Sequence, residues 1–445
     1  MVPNDPETLL ARNCQALERS VQENPQSATA WSGWGRLLAL LADRKVGAEA
    51  DRLYAQADEK YSAALALDAY DMEVLSRLVV VLWDRAVRMP GHQGRPLLIR
   101  GCGLCERMAG YPGGGPERSR TIHRIAFYNW GATLVVLGRM AGPDEADGFY
   151  AEAAEKFSAA SAIDPGDRES ALEWAKCLLQ MASRRPGEAG RQLLLQARDT
   201  CAELVRGNPT DAYSLAGWGC SLMWLGARAP VLEAERLYLE AEEKFGLGLA
   251  GAPGNEFLLF HLAIAIRQRA CMYDEERGNE ILEKASRWVE AALRQHRTHF
   301  SLLAAWASIL YVRAERTPGA EIGRLMDEAA RLFEAAAPKV GRPTEILGGW
   351  GTLLSAQAWL ADGAESVRLL EEARKKFAEA ESRAPGSAAY ELAGVSARLG
   401  EPDECRQWLE KSREPGIRIS ADRMARDQAL AGVRACDWFG RLLAR

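Results

Sequence analysis

The residues of this 445-residue chain whose types could do chemistry are nine cysteines, five histidines and one Gly-rich stretch. Cys102 and Cys105 form a lone CxxC. A zinc site needs a second such pair, and a redox site a strand-turn-helix setting; the sequence shows neither, and both cysteines read as packing residues. Cys14, Cys177, Cys201, Cys220, Cys271, Cys405 and Cys436 are scattered, and the total is odd, which fits reduced thiols better than a disulfide framework. His296 and His299, in HRTH, close a predicted helix, where cationic side chains are favoured. Two histidines without further ligands are a thin metal set. The stretch GYPGGGPERSRT at 110–121 lacks the Gly-Lys-Ser/Thr of a phosphate loop and reads as a flexible insertion. No GxSxG, HExxH or kinase motif is present, and no nucleophile–base spacing. The expectation is therefore no catalytic site, no cofactor, no metal and no small-molecule substrate.

Composition narrows the class further. A hydrophobic share of 48% supplies an ample core, and 26% charged residues fit a folded chain rather than a disordered one. A net charge of −5 gives no global attraction for nucleic acid or anionic membrane. The opening MVPNDPETLLARNCQALERS has neither a basic region nor a long apolar run, so no signal peptide is expected. No window approaches the 18 apolar residues of a membrane span. A cytoplasmic protein is expected.

The elements that must position any site follow from repetition. AEAAEKFSAASAIDPGD at 151–167 nearly repeats AQADEKYSAALALDAYD at 55–71. From Phe157, a step of 44 residues lands on Cys201, Phe245, Val289, Phe333 and Phe377, each with an alanine four positions earlier. Trp130, Trp174, Trp218, Leu262, Trp306 and Trp350 keep the same period of 44, and Trp34 and Leu78 begin the series. Tyr61 to Cys105 is again 44, whereas Cys105 to Phe157 is 52, and the eight extra residues fall at the Gly-rich stretch. Each unit contains two apolar segments of helical period, such as Leu215, Trp218, Leu222 and Leu225, then Leu237, Ala241, Phe245 and Leu249. Breakers such as SRRPGEAG separate the two segments, and DPGD, NPTD and APGN separate units, offering Pro to end one helix and Asp or Asn to cap the next. No alternating strand pattern appears.

These residues resemble the tetratricopeptide repeat family. Its pattern is matched by Leu215, Trp218-Gly219 in the first helix, and by Ala153, Phe157, Ala160, Pro165 in the second. The resemblance implies an all-α, right-handed superhelical solenoid of antiparallel helix pairs, about twenty helices in all. One departure is that Gly131 to Ala153 and Gly219 to Ala241 span 22 residues where the family has about 12, so each unit is extended. The expected organisation is a capping helix at 1–27 and eight extended repeats over 28–388. An ordinary repeat at 389–420 and capping helices at 421–445 complete it.

The resemblance also implies a protein or peptide partner, held in a concave groove lined by the first helix of each pair. Inward positions opposite the core Trp are Ile125, Tyr128, Val135, Leu172, Leu179, Tyr213, Met223, Phe257, Phe260 and Ile264. Bulky apolar residues there suit a non-catalytic scaffold or adaptor; the competing reading is that they pack as core. The family's carboxylate clamp needs Asn and Lys on first helices, and here only Asn129 and Lys176 stand out. A second candidate is the segment from Arg85 to Arg124, which carries Arg85, Arg88, Arg95, Arg100, Arg107, Arg118, Arg120 and Arg124 against Glu106 and Glu117, a net +6. It would suit an acidic partner or, as the alternative, nucleic acid; the competing reading is a solvated edge.

Overall fold

The computed structural model describes residues 6–89, 91–111, 113, 115–185, 187–295, 300–316, 320–336, 343–383, 387–412 and 421–443. Among these residues every regular element is helical. The chain divides into two units, Met1–Met181 and Ala182–Arg445.

The first unit contains α1 (Pro6–Glu23), α2 (Ala28–Ala42), α3 (Gly47–Leu67), α4 (Met72–Arg88), α5 (Arg95–Ala109), α6 (Gly115–Met140) and α7 (Pro143–Ile163), and the division falls within α8 (Arg168–Arg184). The second holds α9 (Gly187–Gly207), α10 (Ala212–Gly226), α11 (Val231–Gly251), α12 (Glu256–Ala270), α13 (Glu275–Gln295), α14 (Phe300–Arg316), α15 (Ala320–Ala336), α16 (Pro343–Leu360) and α17 (Gly363–Arg383). The shorter α18 (Ala389–Arg398) and α19 (Pro402–Lys411) follow, then α20 (Ala421–Arg426), a 3-10 turn at Gln428–Val433 and α21 (Asp437–Leu443). First helices α8, α10, α12 and α14 begin 44 residues apart, and so do second helices α7, α9, α11 and α13. Within each unit the fold is an all-helical array of consecutive helix pairs, each in contact with its neighbours.

Caps set the boundaries. The Asp71 side chain accepts from the backbone N–H groups of Glu73 and Val74, Asp211 from Ser214, and Asn255 from Leu258. Each satisfies a donor that the first helical turn leaves without a partner. Asp167 does the same for Ser170 and also receives Arg124 Nη1 at 2.8 Å.

Inside a pair, the two sequence markers meet. Tyr61, Phe157, Phe245, Phe333 and Phe377 are fully buried. A Cβ built on Gly131, Gly219 or Gly351 would sit 2.9, 2.5 or 2.7 Å from the ring of Phe157, Phe245 or Phe377. Only glycine permits that approach of helix to ring. One position earlier, Lys156 Nζ lies 4.0 Å from the Trp130 ring centroid, and Lys60, Lys244 and Lys376 lie 4.4, 4.6 and 4.3 Å over Trp34, Trp218 and Trp350. A Trp-Gly dipeptide on the first helix thus docks against a Lys-aromatic dipeptide on the second. At Trp306 the position equivalent to those lysines is Leu332, and the indole is fully buried with its Nε1 donating to Ser286 Oγ at 3.1 Å.

The 110–121 insertion differs from the expected flexible loop. From Gly115 onward it is helical and lengthens α6 to 26 residues. Gly115 takes φ 78°, Pro116 suits the first helical position, and Glu117 falls in the positively charged first turn.

Candidate functional site

The positions expected to face inward fall on one helical face that repeats with the 44-residue period. Ile125 is followed one and more periods later by Glu169, Tyr213 and Phe257. Tyr128 is followed by Leu172, Ala216 and Phe260, and Val135 by Leu179, Met223, Arg267, Tyr311 and Ser355. Each unit places its share of this face separately.

In the first unit the face is half-buried. Ile125 packs against the core formed by Leu75, Leu78 and Leu82. The Tyr128 ring stands edge-on to Phe157 with centroids 5.6 Å apart, and its hydroxyl donates to Glu169 at 2.6 Å. Burial, and then the Glu169 carboxylate, push the Tyr128 phenol pKa well up. Leu172 and Val135 are half-buried, and Leu179 is buried.

In the second unit the face separates into three environments. Tyr213 and Phe257 occupy the first turns of α10 and α12 and are 63% and 53% exposed. Phe260 and Ile264 are half-buried against the core around Leu302, Trp306 and Leu310. Met223, expected in the groove, is a core residue at 6% exposure. The reason is that α10 is buried around most of its circumference, with Ser214 to Ala216, Gly219 to Met223 and Leu225 all enclosed. His261, which the sequence reading passed over, sits 4.0 Å from the Phe257 ring and 5.0 Å from that of Phe260. Its Nδ1 lies 2.8 Å from the Phe257 carbonyl oxygen, and desolvation lowers its pKa.

Further along the same face the second unit opens a cavity of about 650 Å³. Its wall includes Arg267 of α12, Ser308 and Tyr311 of α14, Thr352 and Ser355 of α16, Tyr390 and Arg398 of α18, and the turn from Arg426 to Ala429. Arg267, Tyr311 and Ser355 continue the register of Met223, and Ser308 and Thr352 continue that of Ile264. The Ser355 hydroxyl is buried and has no hydrogen-bond partner among the described residues, a rare state for a native polar group. Arg398 donates to the Ser355 carbonyl at 2.8 Å and stacks over Trp359 at 3.9 Å, while the Tyr390 hydroxyl donates to Asp427 at 2.7 Å. The wall is polar where the earlier repeats are apolar, so a search for bulky apolar residues misses it. The 44-residue register finds it.

The Arg-rich segment is largely neutralised inside the fold. Arg85 and Arg100 both reach the Asp58 carboxylate, Arg100 at 2.8 Å. Arg95 pairs with Glu145 at 2.7 Å, Arg124 with Asp167 at 2.8 Å, and Arg88 stands 4.0 Å from Asp51. Arg120 donates to the Ile163 carbonyl at 3.2 Å, and Arg118 is exposed on the first turns of α6.

Cys102 and Cys105, the one close-spaced cysteine pair, are packing residues in the structure. Cys105 is fully buried, and burial raises the Cys102 pKa to about 12 and that of Cys105 further. His296 and His299 lie outside the described residues. Among the described residues no group of three metal-ligating side chains occurs, and no helix is long and apolar enough to cross a membrane.

No protein-family model and no curated protein matches the chain by sequence. Solved structures do match. A tetratricopeptide repeat protein from Parabacteroides merdae is 12% identical over 71% of this chain and 97% of its own, with a TM-score of 0.41. Yeast Tom70 is 13% identical over 99% of this chain and 98% of its own, with a TM-score of 0.37. The anaphase-promoting complex assembly Cut9–Hcn1 matches at 13% identity over 98% of this chain and 86% of that one, with a TM-score of 0.36.

Proposed function

We propose that the protein is a non-catalytic interaction scaffold or adaptor, in the cytoplasm, that holds a segment of a partner protein along the inward face of its first helices. The observation that carries this reading is the register itself. Equivalent positions of successive first helices, Arg267, Tyr311 and Ser355, line one cavity of about 650 Å³, and the buried Ser355 hydroxyl in its wall has no hydrogen-bond partner among the described residues. The volume lies within the range of cavities that enclose a ligand. Its mixture of hydroxyls, guanidinium groups and rings suits the backbone and polar side chains of a peptide. Tyr213 and Phe257, one period apart and exposed, supply aromatic anchors of the kind that dominate partner binding.

Affinity capture with the full chain, compared with a Thr352→Phe variant that fills the cavity, tests this. The expected result is loss of the captured partner with an unchanged melting temperature. An identical set of captured proteins from both chains counts against the reading. The alternative, an acidic partner or nucleic acid at Arg85 to Arg124, is disfavoured because those arginines are paired with Asp58, Glu145 and Asp167. Polyanion binding there would weaken steeply and linearly with salt on logarithmic axes.

A further inference from the structure

A second, smaller cavity of about 90 Å³ lies in the second unit, between second helices α9 and α11 and the C-terminal end of α10 with the turn that follows it. Arg191, Arg198, Arg228 and Arg236 line it, against the single carboxylate of Glu233. We propose that this cavity is an oxyanion site that takes one phosphoryl group. It is far smaller than the several hundred Å³ of a drug-sized ligand site, so the occupant is a compact anion or the tip of a longer molecule. Guanidinium groups match phosphate oxygens in both charge and fork geometry.

The four cations are not equally engaged. Arg191 stands 3.6 Å from Glu233, Arg236 stands 3.9 Å from Glu240, and Arg198 pairs with neighbouring Asp199 at 2.7 Å. Such exposed pairs are weak and exchangeable. Arg228 differs: its Nη2 donates to the Ala182 carbonyl at 2.6 Å, and it has no carboxylate partner among the described residues. Its guanidinium is held against Gly190, where an added Cβ would stand 2.9 Å from Nη1 and 1.9 Å from the Arg185 carbonyl oxygen. A fixed cation beside three adjustable ones is a preorganised anion receptor. Desolvation alone lowers the Arg228 pKa, where a neighbouring carboxylate would oppose the shift. The first turn of α11 adds to the field, since its N-cap Pro230, also in the cavity wall, offers those N–H groups no side-chain acceptor.

The phosphoryl group can come from inorganic phosphate or from a phosphorylated residue of a partner. Calorimetric titration of the full chain with inorganic phosphate, against chloride at matched ionic strength, is expected to show saturable one-site binding. The rim variant Arg191→Gln/Arg236→Gln leaves Arg228 and its backbone contact in place. It is expected to bind about tenfold more weakly or worse, with an unchanged melting temperature in the absence of phosphate. Arg228→Gln is expected to lose at least as much, and should it fail to fold, the rim variant alone decides. Heat without saturation, or equal affinity in the chain and its rim variant, overturns the proposal. A phosphoserine peptide that binds about tenfold tighter than inorganic phosphate supports the site and assigns it to a modified partner, whereas equal affinity supports it as a free-anion site. Equal binding of the unphosphorylated peptide overturns it.

Discussion

At the scale of single residues, the interior is set by contact between glycines and rings. Gly219 faces Phe245 at a distance that a methyl group cannot share, 2.5 Å from Cβ to ring carbon. Gly219→Ala gains about 1 kcal/mol of helix propensity and loses about 1–3 kcal/mol to overpacking, so the net expectation is destabilisation. Gly246→Ala, in the same helix pair with nothing within 4 Å of the new methyl, is expected to stabilise by about 0.5–1 kcal/mol. Hydrogen exchange in α10 and α11 reads both signs, and adding Phe245→Leu should recover much of the Gly219→Ala loss. The cysteines give an independent check on burial. Cys271 is exposed, whereas Cys14, Cys105, Cys177, Cys201, Cys220 and Cys405 are buried. Burial raises the thiols of Cys177 and Cys405 to about 12, so the nucleophilic thiolate is scarce there at pH 8. A thiol-reactive disulfide reagent should label Cys271 first, and rapid labelling of Cys177 would show that the native chain opens far more than this packing allows.

At the scale of elements, the helix pairs were legible because both of their markers recur with one period. The beat of Trp34, Trp130, Trp218 and Trp350 and that of Tyr61, Phe157, Phe245 and Phe377 were each visible in the sequence, and Lys60, Lys156, Lys244 and Lys376 directly precede the latter. What the sequence did not state is that the indole and the ammonium meet, since two periodic signals on different helices carry no distance between them. Lys156→Met keeps the aliphatic stem over Trp130 and removes the charge. It is expected to cost about 0.5–1 kcal/mol, with a shift in indole fluorescence, and an unchanged unfolding curve would mean that the stem alone makes the contact. The DPGD and NPTD stops were legible as caps for the same local reason: Asp at that position has one backbone donor within reach. Asp211→Ala should cost about 1 kcal/mol, read as faster amide exchange in the first turn of α10. The insertion at 110–121 was not legible as helix, because its glycines masked an ERSRT segment that simply prolongs α6.

At the scale of the whole molecule, the repeat makes each helix pair depend chiefly on its neighbours, and the proposed binding face inherits that repetition. The candidate positions share one helical register in the sequence, but which of them stay exposed depends on how far each first helix is enclosed. No sequence pattern marks α10 as nearly surrounded, so Met223 read as groove when it is core, and the polar wall of the cavity went unread. Exposure therefore selects the residues on which the scaffold reading can be tested. Tyr213 and Phe257 share one register position, are 63% and 53% exposed, and contribute little to the core, in contrast to half-buried Phe260. Tyr213→Ser/Phe257→Ser should then remove two adjacent anchors and abolish partner capture while shifting the melting temperature by only a few degrees. Arg118→Glu/Arg120→Glu, on the first turns of α6, should leave capture intact. The opposite pattern, in which charge reversal abolishes capture and the double serine variant binds normally, would move the site from the face of successive first helices to the end of α6.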